Sequence, residues 1–267
     1  MNSTSPDGSI LDKIVTRKLE EVAESKQKVS VADLEANPNF NRKPLIFKNF
    51  LLDEKRTGII SEFKRRSPSK GLINGTADVA EVTQAYNLAG ASALSVLTDT
   101  DFFGGKAEDL FRARAVNQIP ILRKDFMIDE YQILEAKSWG ADIILLIASI
   151  LTPQQIIDFG KLAQSLGLNV LLEVHNLEEL ERSICPHLDA IGVNNRNLGD
   201  FTVNIQTSFD LVDKIPSEFL KISESAIDNP AVIKELRAVG YDGFLIGENF
   251  MKTDNPGQAI IDFVNKL

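Results

Sequence analysis

Eight short apolar runs, each followed by a stretch of helical periodicity, predict a (β/α)8 TIM barrel, an expectation reinforced by polar residues gathered at the ends of those runs. No GxGxxG turn follows the first run, which argues against the open doubly wound sheet that the same alternation also permits. The length of 267 residues suits one such domain.

Ahead of the alternation, Ile10, Leu11, Ile14, Val15 and Val22 recur at helical spacing, and Ser9 with Asp12 has the form of a capping box, so 9–27 reads as an amphipathic helix. Ser30 and Asp33 suggest a second short helix before Pro38, and 45–52 is apolar enough to pack. Residues 1–56 are therefore expected to be a helical extension of the same domain, with the barrel over 57–267.

The strands are expected at 58–64, 92–98, 119–125, 141–147, 168–174, 189–195, 218–224 and 243–247. Helices are expected at 78–89, 106–117, 129–139, 153–166, 176–184, 205–213, 229–239 and 256–265. Several strands are almost wholly apolar, as parallel strands covered on both faces are. Gly90, Gly140, Gly167 and Gly240 sit where a helix stops in left-handed geometry, and Thr152-Pro153 and Asn229-Pro230 have the form of an N-cap followed by proline at the first helical position.

A hydrophobic fraction of 43% and a charged fraction of 25% describe an ordinary globular chain. The net charge of -9 argues against a nucleic-acid partner, since phosphate backbones are held by clustered Lys and Arg. No apolar run approaches the roughly 18 residues of a membrane span, and the opening MNSTSPDGS is too polar for a signal peptide, so no membrane association and a cytoplasmic location are expected. Cys185 is the single cysteine and reads as a packing residue; His175 and His187 do not form an HxxxH-type pair, and no metal site is expected. The triplets at Asn2 and Asn74 match the glycosylation pattern by chance.

The carboxyl ends of the strands carry the chemistry. Strand one ends in Glu62 and Lys64, two apart and so on one face, followed by RRSPSKG. Strand three ends in Arg123-Lys124-Asp125, strand five carries Glu173, strand six ends in Asn194-Asn195-Arg196, strand seven in Ser223-Glu224-Ser225-Ala226 and strand eight in Gly247-Glu248. Charged groups at a barrel mouth are costly unless paired or used. Lysines close together in a dry cleft lower one another's proton affinity, so Lys64 or Lys124 is expected to act as an acid near neutral pH. A glutamate opposite serves as a base or orients a lysine; an ion-pair network that merely closes the barrel is the alternative. Ser225-Ala226 and Gly247-Glu248 lie where many barrels bind phosphate, and seven of the 29 basic residues fall near strand ends, which favours an anionic substrate.

The segments IISEFKRRSPSKG, LTDTDFFGG, ILRKDF, ADIILLIASIL, VLLEVHN, IGVNNRNL, ISESA and FLIGENFM, in this order, resemble the indole-3-glycerol-phosphate synthases of tryptophan biosynthesis over nearly the whole chain. The resemblance implies a barrel whose amino-terminal extension lies over the active-site mouth. It implies ring closure of 1-(2-carboxyphenylamino)-1-deoxyribulose 5-phosphate with loss of carbon dioxide and water, without metal or organic cofactor. Lys124 then matches the general acid on the ketone, Lys64 the partner of the substrate carboxylate and an acid for dehydration, and Glu173 and Glu62 proton acceptors or lysine-orienting groups. Asn194 and Arg196 match positions around the anthranilate moiety; Phe103, Leu145 and Leu198 match the apolar ring contacts; Ser67, Ser225, Ala226, Gly247 and Glu248 match the phosphate cradle.

Two positions depart from the family pattern: Ala226 stands where glycine is common, and Lys106 replaces a small polar residue. The partners implied are a phosphorylated small molecule and, loosely, other enzymes of the pathway; the chain is expected to carry the one activity alone. Among other classes, a sugar-phosphate isomerase would call for a Cys or Asp acid/base pair, an aldolase for a single Schiff-base lysine, and a non-catalytic pathway scaffold for loss of the lysine and glutamate set.

Overall fold

A computed structural model describes residues 9–199 and 201–267. The triplet at Asn2 and the first eight residues of the expected extension lie outside them.

The eight strands are β1 (Ile59–Phe63), β2 (Ala93–Leu97), β3 (Ile121–Lys124), β4 (Ile143–Ile147), β5 (Asn169–Val174), β6 (Ala190–Asn194), β7 (Leu220–Glu224) and β8 (Gly243–Ile246). They close in sequence order into a parallel barrel, with β1 pairing both β2 and β8. Side chains alternate across it. Ile60, Ala93, Leu122, Ile143, Leu145, Leu171, Ala190, Ile222 and Leu245 fill the interior, while Ile59, Leu94, Ile144, Val170, Ile191 and Phe244 face the surrounding helices.

The helices are α1 (Ile10–Lys28), α2 (Val31–Ala36), α3 (Phe47–Leu51), α4 (Val79–Leu88), α5 (Ala107–Val116), α6 (Glu130–Trp139), α7 (Pro153–Ser165), α8 (Leu177–Ser183), α9 (Gln206–Leu211), α10 (Pro230–Ala238), α11 (Glu248–Met251) and α12 (Pro256–Val264). The expected caps form. Ser9 and Ser30 make reciprocal capping boxes with Asp12 and Asp33, and Thr152 and Asn229 precede prolines at the starts of α7 and α10. The four expected helix-stop glycines all have positive φ. The helix expected over 205–213 is shorter, because Val212–Lys214 tightens into a 3-10 turn. Lys106 precedes α5 without a side-chain cap, which a small polar residue would supply.

The extension covers both ends of the barrel, which amends the expectation that it lies over the mouth. α1 does lie at the carboxyl ends of the strands, where Ile14 joins the interior cluster and Ile10 and Leu11 pack against it with Phe102 and Phe103. α2 then packs on the outside against α6, where its Leu34 and Val22 of α1 meet Tyr131. α3 plugs the opposite end. There the Leu45 N–H donates to Asp142 Oδ1 at 2.7 Å, the Phe47 N–H donates to Asn169 Oδ1 at 3.1 Å, and Phe47 and Leu51 are buried with the interior residues.

What fixes α1 over the mouth is a buried charge. Lys18 Nζ lies 3.0 Å from both Asp99 Oδ2 and Asp125 Oδ1, and all three side chains are almost fully buried. Burial alone favours the neutral amine, but Asp125 and Asp99 outweigh it and hold Lys18 above the ordinary lysine range. Asp99 Oδ1 in turn accepts the N–H groups of Phe102 and Phe103 at 2.9 and 3.1 Å, so the helix, the β2 loop and the end of β3 are tied through one ammonium. Lys18→Ala is expected to cost about 3–5 kcal/mol, because it leaves buried carboxylates without their partner. A urea midpoint unchanged from the parent protein would contradict this account.

Candidate active site

A cavity of about 270 Å³ opens at the carboxyl ends of the strands. Glu62, Lys64, Lys124, Glu173, Asn194 and Ser225 line it, as do Phe103, Leu145, Arg196, Leu198, Ala226, Gly247 and Glu248. Ser67 alone of the sequence-selected residues stays off the wall. It sits in a small ribbon formed by Arg66–Ser67 and Gly71–Leu72, and its Oγ lies 3.4 Å from that of Ser69, which does reach the cavity.

The centre is a cluster of charges delivered by strand parity. Inward residues at the tops of β3, β5 and β7 bring Lys124 Nζ within 2.6 Å of Glu173 Oε2 and 3.0 Å of Glu224 Oε2. Beside it, Lys64 Nζ lies 2.7 Å from Glu62 Oε1. Asn194 Nδ2 donates to Glu173 Oε1 at 3.0 Å, and its Oδ1 accepts the Arg196 N–H at 3.0 Å. Two glycines make room for the carboxylates. A Cβ at Gly192 would overlap Glu224 Oε1, and one at Gly247 would overlap Glu62 Oε1.

The electrostatics overturn one expectation. Lysine proximity was expected to lower proton affinity, yet the nearest charged partners of Lys124 are carboxylates. Burial acts against the ammonium, but Glu173, Glu224 and Glu62 together outweigh it, and Lys124 is held well above the ordinary lysine range. Burial likewise opposes ionisation of Glu173, but Lys124 and then His175 hold it below the usual carboxylate range. Glu224 goes the other way: burial, with Glu173 as a like-charged neighbour, pushes it up to about 7 despite Lys124. The physical reason is the number of partners. Glu173 accepts from Lys124 and Asn194 and has His175 Nε2 at ion-pair distance, whereas Glu224 has Lys124 alone and its buried Oε1 has no hydrogen-bond partner.

Glu224 received no role from the sequence, although the signal was present. Leu220, Ile222 and Glu224 share the inward parity that identifies Glu173 on β5, and Asn194 is registered directly opposite Glu224.

The apolar side of the cavity is formed by Phe103, Phe126, Leu145 and Leu198, with the rings of Phe103 and Phe126 5.9 Å apart. At the other end, the Glu248 carboxylate is drawn aside by Arg196 NH2 at 3.3 Å and Lys70 Nζ at 3.6 Å. That answers how an acidic residue sits beside a site expected to take an anion. Ser225 and Ala226 have φ of 64° and 60°. Two consecutive non-glycine residues in the left-handed region make this a strained turn, held by Asn195, whose Nδ2 donates to the Glu224 and Ser225 carbonyls. Among the described residues, no group of three or more His, Cys, Asp or Glu side chains is arranged to hold a metal ion.

A model of the indole-3-glycerol phosphate synthase family matches residues 11–263. A Bacteroides thetaiotaomicron protein described as indole-3-glycerol phosphate synthase is 46% identical over 258 residues, covering 97% of this chain and 98% of that protein. Among solved structures, a mandelate oxidase variant superposes with a TM-score of 0.59 at 14% identity, covering 79% of this chain and 72% of that one, a likeness of fold alone.

Ala226→Gly is expected to raise stability by about 0.8 kcal/mol, from the midpoints of about 1–2 kcal/mol of relieved left-handed strain less about 0.4–1 kcal/mol for the added freedom of the unfolded chain. The check is the urea midpoint, and a lower midpoint would show that the turn is not strained.

Proposed function

The chain belongs to the indole-3-glycerol phosphate synthase family, and from that premise we propose how the residues of the mouth divide the work of ring closure. The reaction is that of a carboxy-lyase of tryptophan biosynthesis: 1-(2-carboxyphenylamino)-1-deoxyribulose 5-phosphate is cyclised with loss of carbon dioxide and water.

Lys124 is the general acid. The ring carbon bearing the carboxylate attacks the ketone carbon, and the developing alkoxide takes a proton from the ammonium. A lysine of raised proton affinity arrives loaded, and the alkoxide, a much stronger base than a ketone oxygen, draws the proton only as the bond forms. Loss of carbon dioxide then restores the aromatic ring. Lys64, steadied by Glu62, holds the substrate carboxylate and supplies a proton for departure of water. Glu173 orients Lys124, and Glu62 is the candidate acceptor for the last proton. The feature that carries this reading is the nearly buried Lys124, flanked by two carboxylates in the cavity.

Asn194 and Arg196 border the anthranilate part, with Phe103, Leu145 and Leu198 against its ring. Ser67, Ser225, Ala226, Gly247 and Glu248 form the phosphate end, where backbone N–H groups are the donors. A cytoplasmic setting fits a biosynthetic enzyme, and among the described residues no helix is long and apolar enough to cross a membrane. Loose association with other enzymes of the pathway rests on the family alone.

Incubation of the purified protein with the anilino-ribulose phosphate is expected to yield indole fluorescence, and Lys124→Ala to lower turnover by about 100- to 10,000-fold with an unchanged circular dichroism spectrum. Near-native turnover of that variant would remove Lys124 from its role.

A further inference from the structure

His175 stands just past β5, two residues after Glu173 and outside the cavity wall. Its ring is nearly buried and is held from behind. Glu179 Oε2 accepts the His175 backbone N–H at 2.8 Å and lies 3.1 Å from Nδ1. Glu179 is itself fixed in the first turn of α8, where its N–H donates to the capping Asn176 Oδ1 at 2.9 Å. The clamp leaves Nε2 3.3 Å from Glu173 Oε1, an ion-pair distance.

An ionised carboxylate only accepts hydrogen bonds, and neutral imidazole carries one N–H. With a carboxylate at each ring nitrogen, only the doubly protonated ring makes both contacts attractive. The groups facing the ring are Glu173 from its own strand and Glu179 from α8. Arg182, one turn further along α8, acts on Glu179 and donates to the carbonyls of Ala148 and Leu151, while β6 contributes the uncharged Asn194. Beyond Glu173 stands Lys124.

We propose that His175, doubly protonated and clamped by Glu179, is a positioning residue that keeps Glu173 ionised and aimed at Lys124. The proposal rests on the ring-closure reading, in which Glu173 orients the acid. Glu173 then has a cation on either side and is a fixed anion throughout the neutral range. Burial opposes the charge on His175, but Glu173 and Glu179 outweigh it and push the imidazolium up to about 10. Because the folded value is raised above 6.5, the stabilisation is fully present below about pH 6.5 and is lost as pH rises through about 10.

The chain's two histidines make the test direct. In full-length His187→Asn protein labelled with 15N-histidine, one imidazole remains, and both of its ring nitrogens are expected to show protonated shifts at pH 8. A neutral tautomer at pH 8 overturns the proposal, whatever the activity. For function, His175→Gln is expected to lower kcat about tenfold with KM within about twofold, and to move the acid limb of the kcat profile to higher pH. Glu179→Gln, which keeps an acceptor but removes the charge, should stay active at low pH and lose activity as the freed imidazolium titrates. Native kcat and an unchanged acid limb in His175→Gln would overturn the positioning role. Wild-type protein giving no indole product would instead sink the ring-closure reading, leaving the protonation result to stand by itself.

Discussion

The nearly buried ammonium of Lys124, shared between Glu173 and Glu224, is the constraint around which the mouth of this barrel is built. Charges taken out of water need partners, and meeting that need dictates a series of neighbours. Asn194 satisfies the second oxygen of Glu173, and His175 supplies a further positive group at the same oxygen. Gly192 and Gly247 have no side chain because carboxylates occupy the space. The interior below is apolar, so the field of the cluster is not dissipated into a wet core.

A second ammonium, that of the buried Lys18, does for the scaffold what Lys124 does for the site. Arg123 and Asp125 flank Lys124 in sequence but point to the other side of β3, where Asp125 receives Lys18 and also accepts from Arg123 and Thr98. The amino-terminal helix is therefore joined to the strand that bears Lys124, and through Asp99 to the loop that places Phe103 on the cavity wall. α3 seals the far end with the apolar side chains of Phe47 and Leu51, beside the buried Asp142 that Arg42 and Arg114 pair.

The end of the cavity that we propose takes the phosphate is held by paired charges and packed backbone. Its acidic member, Glu248, is held by Arg196 and Lys70, and the strained Ser225-Ala226 turn is fastened by Asn195. Asn195 is buried and bonded to Ser208 and Ser223 as well, so the turn is secured from the packed side, and its strain is borne by the scaffold.

Much of this was legible in the residues. Apolar periodicity fixed the order of strands and helices, Ser9 with Asp12 and Thr152 with Pro153 marked helix starts, and the two-residue alternation put Lys124, Glu173 and Asn194 at one opening, because these signals are local. The destination of α3, the pairing of Glu224 with Lys124, the clamp on His175 and the direction in which Lys124 shifts were decided by tertiary structure. Lys124 meets partners 49 and 100 residues away, and whether burial or opposite charge prevails depends on distances between strands that no local pattern encodes.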